Sequence, residues 1–354
     1  MTVVRAGRRA SSEASMSIGI AKTMLAGAVA LVFGAGAALA QTKDVKFTLD
    51  WAVQGNHAIW TVAQEKGYFT KEGLNVKIDR GFGSGDAVTK VASGAYDIGF
   101  SDINAVIKFV GDNPSNPVLG VFQTFDKTLN SIITLKKSGI KSPKDLVGKN
   151  LGAPEADSSR LMFPAFAKAA GIDAAAVKWT SMQPQLREAM LVQGQVDAIS
   201  GFASTSVFNL TGIGVAADDI VIFPFPENGL DLYGSTVIVR KDYAEKNPEI
   251  VAAFVRATIA GLKDIAKDPD GAVPSLSKVD PLVKADLEKA RLKFVLDRAM
   301  LTPSIKANGF GHVDPARMQK SIEVAAEAYA LKVVPKPEDI YTTKFLPPAD
   351  QRKP

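Results

Sequence analysis

The chain has no cysteine and only two histidines, His57 and His312. The first absence excludes disulfides, thiolate-held zinc, and the lipid-bearing cysteine that tethers many exported bacterial proteins. The second excludes a histidine-rich metal site. No GxSxG elbow, GxxxxGK[ST] phosphate loop or HExxH helix occurs, so the common nucleophile, nucleotide and metalloprotease signatures are missing and no cofactor is implied. Beyond residue 40 no run is long and apolar enough to span a bilayer. An excess of one charge is lacking too. The formal net charge is +5, but the first 40 residues hold four of the 42 basic and one of the 37 acidic residues, leaving the remainder at +2. Nucleic acid is therefore not expected as a partner.

Residues 1–40 read as an export signal: Lys22 precedes the small, apolar stretch Met24 to Leu39, and Ala38-Leu39-Ala40 fits a cleavage site before Gln41. Met16 is an alternative start. Arg8-Arg9 lies too far from the apolar stretch for a twin-arginine signal to be preferred. The mature protein is expected to be soluble, periplasmic and monomeric.

Ten short β-rich runs alternate with helical segments: Val45 to Leu49, Val76 to Ile78, Ile98 to Phe100, Val118 to Phe122, Ile132 to Leu135, Asn150 to Ala153, Val177 to Trp179, Ala198 to Ser200, Ile220 to Phe223 and Thr236 to Val239. This rhythm predicts an α/β protein with sheets covered on both faces. After Arg240 helical patterns dominate, at Pro248 to Ile265, Pro281 to Leu296 and Pro315 to Tyr329, giving an α-rich C-terminal tail. Val91-Ala92-Ser93-Gly94-Ala95-Tyr96-Asp97-Ile98 is echoed 100 residues later by Leu191-Val192-Gln193-Gly194-Gln195-Val196-Asp197-Ala198. In each, a helix stops at glycine and turns into a strand, which implies two lobes of similar build. Asp97 and Asp197 read as structural turn residues.

Ligand-binding signals belong at the opposite strand ends. The segment from Leu49 to Trp60 holds two of the three tryptophans and one histidine, between a strand and a helix start. It is either a binding loop or a tryptophan packed between helix and sheet beside a polar loop. Only Asp50 offers His57 a nearby carboxylate, so catalysis has little support. Gly81-Phe82-Gly83-Ser84-Gly85-Asp86 permits close backbone approach and an anion at a helix start, but with Asp86 at the third glycine position it is no dinucleotide fingerprint. Ser101-Asp102 and Asp157-Ser158-Ser159 suit either helix capping or ligand contact. Gly201 to Ser206 adds Phe202 and hydroxyls.

The order Leu49-Asp50-Trp51, Asn56-His57, Ala63-Gln64-Glu65-Lys66-Gly67-Tyr68-Phe69, Glu72-Gly73-Leu74, Gly83-Ser84, Asp97-Ile98-Gly99, Ser142-Pro143-Lys144-Asp145-Leu146 and Gly201-Phe202 resembles the SsuA/THI5-like (NMT1-like) substrate-binding proteins over about residues 43–265. The resemblance implies a type II periplasmic binding protein fold with two α/β lobes, two crossovers and a ligand cleft. It implies lobe I at 41–136, lobe II at 137–234, and the rest of lobe I with the C-terminal helices at 235–354. It further implies a small-molecule solute delivered to an inner-membrane ABC permease. The candidate contacts are then Trp51, Asn56, His57, Gly83, Ser84, Ser101 and Asp102 on one lobe, Asp157, Ser158, Ser159 and Phe202 on the other, and Tyr233 near the second crossover. The Asp-Trp and Asn-His pairs look most like members that bind the pyrimidine precursor of thiamine. Ala52-Val53-Gln54-Gly55 departs from their pattern, so a sulfonate, an aromatic carboxylate and a flavin-like ring stay open. Related pyrimidine synthases use this fold with a cysteine-rich motif, which this chain lacks; a solute-binding protein is expected, with a sensor module as another reading.

Overall fold

The computed structural model describes residues 42–354; the expected signal segment lies outside them. All ten runs read as strands are strands: β1 (Lys43–Thr48), β2 (Leu74–Asp79), β3 (Ile98–Asp102), β4 (Val118–Gln123), β5 (Asn130–Leu135), β6 (Asn150–Ala153), β7 (Lys178–Ser181), β8 (Ala198–Phe202), β9 (Ile220–Pro224) and β10 (Ser235–Arg240). They form two five-stranded sheets of the same plan, ordered β2-β1-β3-β10-β4 and β7-β6-β8-β5-β9. In each sheet the fourth strand is antiparallel to both neighbours and arrives through a crossover.

One expectation is corrected by this pairing. β5 joins β8 and β9 in the second sheet, so the first crossover occupies residues 124–129 and lobe II begins ahead of the expected boundary at 136/137. Ile132 to Leu135 reads as a buried strand in either lobe; its sheet is decided by pairing partners far along the chain. The second crossover takes residues 225–234, between β9 and β10.

The sequence echo has a shared structural cause. Gly94 and Gly194 take left-handed φ values of 79° and 72° at their helix ends, a conformation that glycine adopts without a Cβ penalty. The two aspartates then make the same clamp. Asp97 Oδ2 accepts the Lys46 N–H and Asp197 Oδ2 accepts the Asn150 N–H, both at 2.8 Å. Each ties the start of a central strand to its neighbour, as the structural reading requires.

The helices that frame the cleft and the tail are α1 (Ala58–Glu65), α2 (Ser84–Ala92), α3 (Ile103–Asp112), α4 (Phe163–Ala170), α5 (Arg187–Val192), α6 (Ala203–Gly212), α7 (Pro248–Lys267), α8 (Ala285–Val295) and α9 (Pro315–Ala328). Pro164 sits in the first turn of α4, the position that tolerates a missing N–H. The helix expected from Pro281 starts only at Ala285, because Pro281 falls in a turn where Asp280 accepts the Leu282 N–H. The tail is not confined to lobe I. Helix α8 touches α6 of lobe II, and α9 packs on both α3 and α4.

Trp60 belongs to the core. It is fully buried against Phe47 and Phe100, with ring centroids at 5.0 and 4.6 Å, and its Nε1–H reaches Thr258 Oγ1 at 3.2 Å. This fixes α7 against α1 so tightly that a Cβ on Gly261 would stand 2.1 Å from the Ile59 carbonyl oxygen. Gly→Ala in a helix ordinarily adds up to about 1 kcal/mol, whereas overpacking costs about 1–3 kcal/mol or more. Gly261→Ala is therefore expected to lower stability by about 1–3 kcal/mol in urea unfolding; a variant more stable than wild type would contradict the close packing.

Candidate functional site

The two sheets turn the C-terminal ends of β1, β3, β6 and β8 toward one another, and the loops there meet in a cleft lined by Asp50, Trp51, Gly83, Ser84, Asp157, Ser158, Arg187, Phe202 and Thr205. Of the residues singled out in the sequence, Trp51, Gly83, Ser84, Asp157, Ser158 and Phe202 share this lining. Asn56, His57, Ser101, Asp102, Ser159 and Tyr233 do not. Asp50, Arg187 and Thr205 complete it.

The excluded residues are buried behind the wall and hold it. His57 has no exposed surface; its Nδ1 accepts the Gln54 N–H at 3.2 Å, and its Nε2 faces Asp50 Oδ1 at 3.0 Å. The accepting Nδ1 fixes the proton on Nε2, so the imidazole donates to Asp50 and aims that carboxylate into the cleft. His57, expected as a ligand contact, thus stands behind the lining in this structure. Ser101 Oγ donates to the Ser84 carbonyl oxygen, and the Asp102 N–H donates to Ser84 Oγ, seating the start of α2 on β3. Ser159 Oγ donates to Asn130 Oδ1 within lobe II. Tyr233 lies at the second crossover, where its hydroxyl accepts the Asp314 N–H and its ring stacks under Arg317. Asn56 is buried in the turn Gly55–His57.

Asp102 and Asp157 both cap helical turns, accepting from Asn104 N and Arg160 N. Only Asp157 also faces the cleft. Its Oδ1 accepts from Ser200 Oγ at 2.8 Å and its Oδ2 from Arg187 Nη1 at 3.2 Å. Arg187 is buried, directs Nε and Nη2 at Glu188 Oε1, and lays its guanidinium 4.7 Å from the centre of the Trp51 ring. That stack crosses the cleft from lobe II to lobe I.

Further bonds join the lobes around the stack. Gln54 Nε2 donates to Thr205 Oγ1 at 3.0 Å, Gly85 N–H to the Ala156 carbonyl oxygen at 3.1 Å, and Asn130 Nδ2 to Asp102 Oδ2 at 3.4 Å. Gly83 has φ 133°, and a Cβ there would stand 2.6 Å from the Ala156 oxygen; its glycine serves the approach of the other lobe. The free space enclosed by this lining is about 20 Å³, room for about one water molecule.

Arg187 gave no local signal, because a basic residue followed by Glu188 at a helix start reads as a solvated face. Asp50 and Thr205 stood inside segments already singled out.

Residues 54–272 match the family model described as NMT1/THI5 like. The chain is 29% identical over 262 residues to the formylaminopyrimidine-binding protein of Halalkalibacterium halodurans, covering 72% of this chain and 78% of the relative. It is 25% identical to a 4-amino-5-hydroxymethyl-2-methylpyrimidine phosphate synthase of Legionella pneumophila, covering 69% and 76%. The crystal structure of the periplasmic aliphatic sulphonate binding protein SsuA of Escherichia coli superposes with a TM-score of 0.63 at 16% identity, covering 88% of this chain and 91% of that one. At that identity the likeness is one of fold.

Complete burial pushes the Asp102 carboxyl up to about 6, against the pull of hydrogen bonds from Asn104. A carboxyl whose folded value lies above its unfolded one favours folding when protonated, so its contribution declines as pH rises from about 4 through about 6. Asparagine keeps the cap without the charge. Between about pH 4 and pH 7 the unfolding free energy of wild type is expected to fall by about 1–3 kcal/mol relative to Asp102→Asn; a pH-independent difference would rule out the buried charge as the cause.

Proposed function

This chain belongs to the NMT1/THI5-like family, and from that premise we propose that it is a periplasmic solute-binding protein that delivers a small, planar, amino-substituted heteroaromatic solute to an ABC importer. The thiamine pyrimidine precursor is the type of solute meant. The observation that carries the reading is the pair of buried carboxylates, Asp50 on one lobe and Asp157 on the other, beside the half-buried face of Trp51. Carboxylates accept hydrogen bonds from amino groups, and each such charge-assisted bond contributes about 1.5–3 kcal/mol. An indole face adds roughly 0.5–1.5 kcal/mol to a stacked flat ring. A ring lying on Trp51 with an amino group toward Asp50 uses both. The hydroxyls of Ser84, Ser158 and Thr205 supply polar partners for its remaining substituents.

Solute contact with both lobes at once favours the closed arrangement, and that difference in contact is what drives closure. The closed face formed by both lobes is then what an inner-membrane permease recognises. Binding is preferred to turnover because the one histidine near the cleft has both ring nitrogens engaged by protein groups and no exposed surface. The pyrimidine synthase relative bears on the solute class more than on the chemistry.

Titration of the mature protein with aminopyrimidines, aromatic acids, sulfonates and flavins, followed by tryptophan emission and melting temperature, tests the reading. Aminopyrimidines are expected to bind. Trp51→Ala and Asp50→Asn are each expected to weaken them about tenfold or more, and His57→Ala to weaken them through loss of Asp50 alignment. Stabilisation by sulfonates or aromatic acids alone, or conversion of any panel member to product, would overturn it.

A further inference from the structure

A buried arginine in a cleft ordinarily marks an anion site, because its planar fork of donors matches carboxylates and sulfonates. Arg187 is 1% exposed, yet its fork is already occupied. Nε and Nη2 stand 3.0 and 2.8 Å from Glu188 Oε1, and Nη1 stands 3.2 Å from Asp157 Oδ2. Glu188 follows Arg187 in α5, and Asp157 caps the turn Ser158–Leu161. All three therefore belong to lobe II. Opening of the lobes detaches Trp51 and leaves the cluster as it is, so an arriving solute meets a guanidinium whose donors are directed elsewhere.

We propose that Glu188 is a specificity-determining residue that closes this cleft to anionic solutes. By engaging the arginine edge-on, it leaves the guanidinium only its flat face, which suits an aromatic ring. The charge balance works in the same direction. Asp50 and Asp157 line the cleft and Glu188 stands against Arg187, so the lining and its immediate support carry three carboxylates and one guanidinium, while the neighbouring Arg291 is paired with Glu288 and the His57 ring nitrogens are engaged by the Gln54 N–H and Asp50. A sulfonate or carboxylate entering a buried site with this balance is repelled with little help from solvent screening. A neutral or protonated amino-heteroaromatic is not. The inference rests on the solute-binding reading above and states what the same site rejects.

Glu188→Gln keeps the size of the side chain but removes its charge, leaving beside Arg187 only a weaker, neutral acceptor that a sulfonate can displace. Calorimetric titration of wild type and Glu188→Gln with ethanesulfonate and with a 4-aminopyrimidine, alongside melting temperatures, tests the proposal. Wild type is expected to bind the aminopyrimidine and to ignore millimolar ethanesulfonate. Glu188→Gln is expected to bind ethanesulfonate at least tenfold more tightly than wild type, and the double variant Arg187→Met, Glu188→Gln to lose that gain. A folded Glu188→Gln that stays blind to ethanesulfonate overturns the proposal, as does a wild type that binds ethanesulfonate as tightly as the aminopyrimidine. If Glu188→Gln does not fold, Asp157→Asn frees Nη1 and carries the same expected gain and the same refutation. A wild type that binds no aminopyrimidine, with the sulfonate gain present in the variant, refutes the solute reading and leaves the role of Glu188 supported.

Discussion

Arg187 lies against Trp51 across the cleft at 4.7 Å while its donors reach back to Glu188 and Asp157 in its own lobe. Three of the four residues in this constellation are charged and buried, and a buried charge is tolerated only while its partners stay in place. The lobe II wall is therefore a rigid unit whose polar edge is spent within the protein and whose flat face is turned to the other lobe. Bonds from Gln54 to Thr205 and from Gly85 to Ala156 bring the two lobes together around that face, and His57 bonds Asp50 beside it.

The support runs well beyond the lining. Gln54 accepts from Arg291 Nη1 and donates to Thr205, Arg291 Nη2 donates to Asn209 in α6, and Glu288 accepts the Gly55 N–H. Helix α8 thus grips the loop that carries Trp51 and His57 and holds it to the second lobe. Burial lowers the Arg291 guanidinium from its ordinary value, with Glu288 opposing that shift. The C-terminal tail is in this sense part of the clamp: it spans the lobes beside the cleft, and α9 spans them again over α3 and α4.

Much of this was legible in the residues. β-Branched runs bounded by glycine and polar turns located every strand, and the repeated Gly94/Gly194 and Asp97/Asp197 pattern revealed two lobes, because helix stops and strand starts are local events. Sheet membership was not legible: Asn130 to Leu135 is apolar enough for either lobe, and only its pairing with β8 and β9 places it. At the site, residue types that suit a ligand also suit a helix cap or a buried bond. Asp157 caps a turn and also lines the cleft, whereas Asp102 caps a helix and accepts from Asn130 of the other lobe, and His57 bonds Asp50 from behind the lining. Arg187 carried no such signal because its burial comes from tertiary contacts, among them Trp51, Asp157 and the Gly201 backbone.

The most direct test is a crystal structure of the mature protein grown with a 4-aminopyrimidine. The ring is expected to stack on Trp51, with its amino group within hydrogen-bond distance of the Asp50 or Asp157 carboxylate and His57 still bonded to Asp50. A ring bound away from Trp51, or a cleft occupied instead by an anion bonded to Arg187, would contradict the stacking role of Trp51 and the exclusion of anions by Glu188.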